Sequence, residues 1–74
     1  MDEKYIDAYL IIDKAFDAGI FGDDEILRLV MESCEYNYEG AVMALSGYYE
    51  HKKQIKTFIK KNNLAEKQPL QMGE

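Results

Sequence analysis

Apolar side chains recur every three or four positions at the start of the chain, which is the pattern of an amphipathic helix. The recurring positions are Tyr5, Tyr9, Ile12 and Phe16. At 3.6 residues per turn these side chains share one face, so the pattern predicts a helix over residues 2–18. Gly19 should end this helix, because glycine adopts the left-handed conformation of a helix C-terminus without steric cost. Ile20 and Phe21 are then expected to fold back toward the core.

A second and a third helix follow with the same periodicity. Asp23 or Asp24 can cap the backbone N–H groups at the start of a second helix over residues 24–33. Its apolar positions are Ile26, Leu27, Val30, Met31 and Cys34. Asn37 is a good N-cap for a third helix. The apolar positions of the third helix are Ala41, Val42, Leu45, Tyr48 and Tyr49.

The period resumes in the last third of the chain, with apolar positions at Ile55, Phe58 and Ile59. This segment either continues the third helix or forms a fourth after a kink at Ser46-Gly47, and the kink is the favoured alternative. Asn62-Asn63 should end the helical run. No stretch alternates apolar and polar residues as a strand would, so the sequence predicts an all-α bundle of three or four helices. One domain should span residues 1–64, with a flexible C-terminal tail at residues 65–74.

Composition adds a charge asymmetry to this picture. The chain has 74 residues, 47% of them hydrophobic and 31% charged, which suits one folded domain with one core. Its net charge is −5, yet residues 1–50 hold twelve Asp and Glu against three Lys and Arg, whereas residues 51–74 hold six Lys against two Glu. Either the two halves are solvated or paired with each other, or the asymmetry marks a polarised binding surface.

Cysteine use and the length of apolar runs bear on location. With a single cysteine, Cys34, no internal disulfide can form, and a small domain without disulfides favours a reducing setting. The N-terminal Met1-Asp2-Glu3 is acidic where a signal peptide is basic, and the longest apolar run, Ala8 to Ile12, is too short to cross a membrane. We therefore expect a cytoplasmic protein without a membrane contact.

No constellation of residues indicates catalysis, so we expect a protein that is not an enzyme and uses no cofactor or metal. Cys34 with His51 is the one conceivable dyad, but helical periodicity explains Cys34 as a core residue. Asp23-Asp24-Glu25 lacks the spacing of a calcium loop, and helix capping accounts for it better. The C-terminal lysines come without arginine on an acidic chain, which argues against direct nucleic-acid binding.

Tyrosine is abundant near the start of the third helix. The chain has six tyrosines and no tryptophan. Around the turn that opens the third helix lie Tyr36, Tyr38, Tyr48 and Tyr49. Tyrosine buries apolar area at low entropic cost while its hydroxyl stays wet, which suits a contact surface. The alternative is that these rings cover a small core.

The order of three segments carries a family resemblance. Phe16-Asp17-Ala18-Gly19-Ile20 ends one helix, Glu25 to Cys34 forms a short second helix, and Asn37-Tyr38-Glu39-Gly40-Ala41-Val42-Met43-Ala44-Leu45 opens a third. Over residues 10–50 this order resembles a ubiquitin-associated (UBA) or UBA-like domain, whose third helix starts with an Asn-x-Glu-x-Ala-Val-x-x-Leu type run. Where that family has a Met-Gly-Phe type loop, this chain has Ala18-Gly19-Ile20. The resemblance implies a ubiquitin contact through the loop from Gly19 to Phe21 and the end of the third helix.

The acidic charge favours a different function. A small acidic protein can place carboxylates where a nucleic-acid-binding enzyme expects phosphates, as inhibitors from phages and mobile elements do, anti-CRISPR proteins among them. Two acidic residues of the predicted first helix, Asp13 and Asp17, are expected to face water. The acidic residues that suit such a DNA mimic are Asp13, Asp17, Asp23, Asp24, Glu32, Glu35 and Glu39. Contacts of a mimic should weaken steeply as salt rises, whereas a UBA-like contact should persist.

The sequence thus predicts a non-enzymatic protein-binding module, a regulator or inhibitor that acts through an acidic, tyrosine-rich helical surface. The expected partner is another protein, and the chain itself is expected to be a monomer or a homodimer. UBA-like binding and DNA mimicry are two special cases of this function. The predicted contact residues are Asp13, Asp17, Gly19, Ile20, Phe21, Asp23, Asp24, Glu25, Glu35, Tyr36, Tyr38, Glu39, Tyr48 and Tyr49.

Overall fold

The computed structural model describes residues 3–62, which form an all-α bundle and confirm the predicted fold class. A 3₁₀ turn at Glu3–Tyr5 leads into four helices: α1 (Ile6–Asp17), α2 (Asp23–Cys34), α3 (Tyr38–Glu50) and α4 (Lys52–Lys61). Helices α1, α2 and α3 pack against one another, and α4 packs on α1 and α3. The predicted tail at residues 65–74 lies outside the described residues.

The core draws side chains from all four helices. Its buried members are Ala8, Tyr9, Leu10, Ile12, Ala15, Ile26, Leu27, Val30, Ala41, Ala44, Leu45, Tyr48, Ile55 and Ile59. On α1 the buried face is wider than the predicted stripe, because this helix contacts each of the other three. Tyr5 and Phe16, which belong to that stripe, are only half-buried against the core. Cys34 is likewise half-buried and packs against the core, which agrees with its predicted place there.

The end of α1 confirms Gly19 as the helix stop. Gly19 has φ +86°, in the left-handed region. Its N–H donates to the carbonyl oxygen of Phe16 (3.0 Å), and the N–H of Ile20 donates to that of Ala15 (2.9 Å). These two bonds form a Schellman motif, which satisfies carbonyls that the helix leaves without partners. Ile20 then packs partly against the core, but Phe21 is 67% exposed, so the prediction that Phe21 turns inward is wrong.

The start of α2 differs from the prediction. The N-cap residue is Gly22, and neither Asp23 nor Asp24 supplies a capping hydrogen bond. The Asp23 carboxylate instead accepts a hydrogen bond from the Tyr49 hydroxyl (2.9 Å), so tertiary contact replaces the local cap. Both aspartates still lie in the first turn, where carboxylates favour the positive end of the helix dipole.

Helix α3 begins as predicted and ends later than predicted. The Asn37 side chain accepts a hydrogen bond from the Gly40 N–H (2.7 Å), which confirms the N-cap. The predicted kink at Ser46-Gly47 is wrong, because α3 runs unbroken to Glu50 and the chain turns at His51. A Cβ atom at Gly47 would lie 2.8 Å from the Tyr9 hydroxyl oxygen. Gly47 therefore permits the close approach of α1 and α3 and does not interrupt the helix.

Candidate protein-binding surface

Helix α3 has apolar side chains on two faces. One face, which includes Ala41, Ala44 and Tyr48, is buried in the core. The other carries Tyr38, Val42 and Tyr49 at spacings of four and seven, which aligns them along one side of the helix. Tyr38 is 61% exposed and Tyr49 is 49% exposed, so this second face remains open to solvent.

The open face of α3 borders a groove against α2. The groove has a volume of ≈ 350 Å³, and it is lined by Asp23, Asp24, Leu27, Tyr38, Val42, Leu45, Ser46 and Tyr49. We call these eight residues the α2–α3 groove. Two smaller depressions, of ≈ 280 and ≈ 310 Å³, adjoin it at Tyr38, and they add Met31 from α2 and Met43 from α3. The apolar walls thus extend along both helices.

One end of the α2–α3 groove is fixed by a hydrogen bond between the helices. The Tyr49 hydroxyl donates to Asp23 Oδ1 (2.9 Å), which joins the end of α3 to the start of α2. Partial burial, with a further contribution from the bond to Asp23, raises the pKa of Tyr49. The phenol is therefore a neutral donor at physiological pH, and its ring is held in place at the rim of the groove.

An aromatic cluster continues from this end of the groove to the α1–α2 loop. The Phe21 ring stacks on Phe16 at a centroid distance of 5.9 Å and an interplanar angle of 25°. The Phe16 ring lies 6.0 Å from that of Tyr49. The Lys52 ammonium also lies over the Phe16 ring, 5.5 Å from its centroid. Phe21 is thus an exposed aromatic ring linked through Phe16 to the groove.

Acidic side chains surround the apolar walls. Those that line the groove or its two adjoining depressions are Asp23, Asp24, Glu32 and Glu39. Arg28 is the single basic residue that lines any of the three, within the part of the chain that the structure describes. All five of these side chains are exposed. The surface therefore combines an apolar floor with a predominantly negative rim.

The structure brings several of the predicted contact residues together at this surface. They are Phe21, Asp23, Asp24, Tyr38, Glu39 and Tyr49. Gly19 and Ile20 lie in the loop that leads to Phe21, where Ile20 is half-buried. Asp17, at the end of α1, and Glu25, in the first turn of α2, are exposed but line none of the three depressions.

Asp13 and Tyr48, by contrast, are parts of an internal joint. The Tyr48 hydroxyl and Lys56 Nζ each donate to Asp13 Oδ1 at 2.7 Å. Tyr48 is fully buried, and the Asp13 side chain is only 14% exposed. Burial, followed by the bond to Asp13, raises the pKa of Tyr48. The predictions that Asp13 faces water and that Tyr48 joins a contact surface are therefore wrong, because these groups tie α1, α3 and α4 together.

Glu35 and Tyr36 also lie away from the groove. Glu35 ends α2 in the left-handed conformation, with φ 59°. The Tyr36 hydroxyl donates to the carbonyl oxygen of Lys4 (3.2 Å), and its ring meets that of Tyr5 edge-on at 5.9 Å. The four tyrosines of the predicted cluster thus divide among three places: Tyr38 and Tyr49 at the groove, Tyr36 on the N-terminal segment and Tyr48 in the core.

Sequence reasoning missed the apolar walls that complete the surface. These are Leu27, Met31, Val42, Met43 and Leu45, and the polar Ser46 lines the groove beside them. Met43 is 59% exposed, which helical periodicity with the core stripe does not explain. The available signal was the second series on α3, Tyr38, Val42 and Tyr49, which runs beside the core stripe. A helix with apolar side chains on two faces buries one face in its own core and leaves the other as a candidate interaction surface.

A larger depression of ≈ 610 Å³ lies on α4. It is lined by Glu3, Lys53, Gln54, Thr57, Phe58 and Lys61. Apart from Phe58 its walls are long or polar side chains, most of them from a single helix. This depression is also more open to solvent than the α2–α3 groove, so the α2–α3 groove is the better candidate site.

The described residues offer few groups for catalysis. Burial, and next the charge of Asp7, raises the pKa of Cys34, which disfavours the reactive thiolate. Within residues 3–62 no three His, Cys, Asp or Glu side chains are grouped so that they could hold a metal ion. No helix in the same range is long and apolar enough to cross a membrane.

No protein-family model matches this chain, and no curated protein or solved structure matches it significantly. A functional assignment therefore depends on the geometry and chemistry of the α2–α3 groove.

Proposed function

We propose that this chain is a non-enzymatic module that binds another protein in the α2–α3 groove and thereby regulates or inhibits it. One observation supports this most directly. Four large apolar side chains are exposed in the described part of the chain, and all four belong to one region: Phe21, Tyr38, Met43 and Tyr49. Exposed apolar groups that gather in one patch, rather than scatter over the surface, are typical of an interaction site.

The residue types at the groove suit this function. Tyrosine and methionine are enriched in the centres of protein interfaces, where a tyrosine ring buries apolar area and its hydroxyl keeps a polar partner. Tyr49 already has such a partner in Asp23, so its ring is oriented before a partner protein arrives. This order lowers the entropy that binding must remove.

UBA-like binding is a narrower form of the same proposal. The UBA resemblance implies contacts from the loop Gly19 to Phe21 and from the end of α3. Phe21 and Tyr49 are linked through the Phe16 ring, so these two regions adjoin at one end of the groove. Ubiquitin is accordingly the first single protein to use as a probe.

Mimicry of DNA remains the alternative function, and local pairing of charges weighs against it. Asp13 is held inside the bundle by Tyr48 and Lys56, and Asp23 is engaged by Tyr49. A mimic depends on free carboxylates and would lose its partner at high salt. A groove contact depends mainly on apolar area and would keep its partner.

Site-specific photocrosslinking tests the proposal. A photoreactive phenylalanine analogue replaces Tyr38 in the groove or, as the matched control, Thr57 on α4, and each protein is irradiated in lysate of the native host. We expect a discrete adduct from position 38 only, which excess unlabelled wild-type protein displaces and excess Met43→Ala/Tyr49→Ala protein does not. Mass spectrometry identifies the adduct.

The same experiment separates the alternatives. An adduct at position 38 that persists in about 1 M salt supports an apolar contact, because at that ionic strength charges are screened beyond about 3 Å. An adduct with a nucleic-acid enzyme that disappears at this salt concentration favours the mimic. Equal labelling from positions 38 and 57, or labelling that the double variant displaces as well as wild type, contradicts the groove proposal.

A further inference from the structure

We infer that the protein segment bound in the α2–α3 groove is cationic, with Lys or Arg beside its apolar side chains. This inference rests on the proposed function and adds the chemistry of the partner. Acidic side chains stand along the rim, from the α2–α3 groove to the two depressions that adjoin it at Tyr38. Asp23 lies at the end that Tyr49 closes, and Asp24 lines both the groove and one of the adjoining depressions. Glu32 and Glu39 line the depressions that adjoin the groove at Tyr38.

Within residues 3–62, the lysines of α4 make no ion pair with this rim. Lys56 is bonded to Asp13 on α1, and Lys52 rests on the Phe16 ring. Among the described residues, no lysine lines the groove or its two adjoining depressions. Four carboxylates thus face the space that a partner enters, against one guanidinium, that of Arg28.

A segment that carries both cationic and apolar side chains is complementary to the acidic rim and to the apolar floor of the groove. Its apolar side chains would cover Tyr38, Val42 and Met43, while its Lys or Arg side chains would pair with the rim. Exposed ion pairs contribute little affinity each, but they raise the association rate and exclude wrong partners. Anionic partners, such as a nucleic-acid backbone or an acidic peptide, would be repelled by the same rim. The apolar floor supplies affinity and the charge supplies specificity.

A random-sequence peptide display library provides a direct test, with the full chain as bait. Peptides that also bind the Tyr38→Ala protein are removed, and the remainder are tested against Met43→Ala. Both residues are exposed, so the variants should keep the fold, which circular dichroism checks. We expect the groove-dependent peptides to combine Lys or Arg with apolar residues and to carry a net positive charge.

Affinity measurements on the recovered peptides test the role of the rim. Fluorescence anisotropy compares wild type with Asp24→Asn/Glu39→Gln and with a control of equal charge change outside the groove, Glu3→Gln/Asp17→Asn. We expect the dissociation constant to rise about threefold to tenfold for the rim variant, as the loss of two exposed ion pairs implies. The control variant should change it by less than about twofold.

The outcomes separate this inference from the proposed function. Groove-dependent peptides that are neutral or acidic overturn the charge inference and leave the groove proposal standing. If no peptide remains after those that bind Tyr38→Ala are removed, or if the remaining peptides bind Met43→Ala as tightly as wild type, both proposals fail. A concentration-dependent dimer that Tyr38→Ala abolishes would assign the groove to a second copy of this chain and overturn the cationic partner.

Discussion

At the scale of single residues, two contacts hold α3 against its neighbours, and both depend on specific atoms. At Gly47 the helix has no Cβ, and a Cβ there would lie only 2.8 Å from the Tyr9 hydroxyl oxygen. At the next residue, the Tyr48 hydroxyl donates to Asp13 on α1, one helical turn beyond Tyr9, and Asp13 also pairs with Lys56 of α4. The first contact sets how closely α1 and α3 approach, and the second joins three helices through one carboxylate.

The contact at Gly47 predicts that Gly47→Ala lowers the stability of wild type but not that of a Tyr9→Phe variant. In wild type, Gly47→Ala should destabilise the fold by up to about 2 kcal/mol. Overpacking costs about 1–3 kcal/mol, which outweighs the helix propensity of alanine, about 1 kcal/mol better than glycine. The Tyr9 ring is only 1% exposed and cannot swing away. In a Tyr9→Phe background the nearest ring atoms lie at 3.7 Å, an ordinary contact, so Gly47→Ala should become neutral or stabilising.

Urea unfolding monitored by circular dichroism measures all four proteins of this cycle. The comparison that matters is the effect of Gly47→Ala within each background, since Tyr9→Phe alone changes stability for its own reasons. An equal loss of stability in both backgrounds would show that the Tyr9 hydroxyl does not set the helix spacing.

The joint at Asp13 predicts a loss of stability at alkaline pH. Burial and the bond to Asp13 raise the pKa of Tyr48 above its ordinary value of 10.0, and the bond to Asp13 raises that of Lys56 above 10.5. Both groups therefore hold their protons more tightly in the folded chain than in the unfolded chain. Their contribution to the free energy of unfolding is fully present below about pH 10 and declines as the pH rises further.

Replacement of Tyr48 by phenylalanine tests this joint. Tyr48→Phe should cost about 1–3 kcal/mol at neutral pH, because a hydrogen bond to a charged group is lost. Between about pH 8 and about pH 11 the midpoint of urea unfolding should also fall less steeply for Tyr48→Phe, because one titrating group is gone. Tyr38→Phe is the control, since it removes a hydroxyl from a ring that is 61% exposed. A decline as steep in Tyr48→Phe as in this control would contradict the assignment.

At the scale of secondary-structure elements, the ends of the helices are decided partly by local and partly by distant residues. At the end of α1 the N–H of Gly19 donates to Phe16 and that of Ile20 to Ala15. At the start of α3 the Asn37 side chain accepts from the Gly40 N–H. These partners lie within five positions, so the sequence alone predicts both ends. The start of α2 is different, because Asp23 bonds to Tyr49, twenty-six positions away.

The Gly19 stop predicts different effects for two neighbouring glycines. Gly19→Ala should destabilise the fold by about 1–2 kcal/mol, the cost of left-handed backbone for a residue with a Cβ. No atom lies within 4 Å of the added Cβ, so the cost comes from the backbone alone. Gly22→Ala is the matched control: it has equally open surroundings and φ −76°, which alanine adopts freely. Its effect should stay within about 0.5 kcal/mol, and thermal unfolding of both variants decides the matter.

The same distinction explains how much of the candidate surface the sequence predicted. Periodicity identified all four helical segments, and exposed Tyr38, Tyr49 and the aspartates were among the predicted contacts. Two errors have distant causes: Gly47 packs against the Tyr9 hydroxyl, and Asp13 is held inside the bundle by Tyr48 and Lys56. Nothing near Gly47 in the sequence distinguishes a close packing contact from a helix break.

At the scale of the whole molecule, the question is whether α1, α2 and α3 are stable without α4, as the three helices of a UBA-like domain would be. Helix α4 buries Ile55 and Ile59 completely or nearly so, and its Lys56 pairs with Asp13. The core of this small chain therefore includes the fourth helix. A domain of this size rarely has more than about 3–5 kcal/mol of stability from its core. The two isoleucines that α4 buries therefore contribute a large share of that stability.

Substitution of a single side chain on α4 measures that share. Ile55→Ala should lower the free energy of unfolding by about 2–4 kcal/mol, because it removes a fully buried side chain and leaves a cavity against α1 and α3. Thr57→Ala, on the exposed side of the same helix, should change it by less than about 0.5 kcal/mol. Urea unfolding followed by the helical signal gives both values. If Ile55→Ala unfolds at the wild-type midpoint, then α1, α2 and α3 form a self-sufficient unit and α4 only rests on it. If the midpoint falls as expected, the stability of the α2–α3 groove depends on a helix that does not line it.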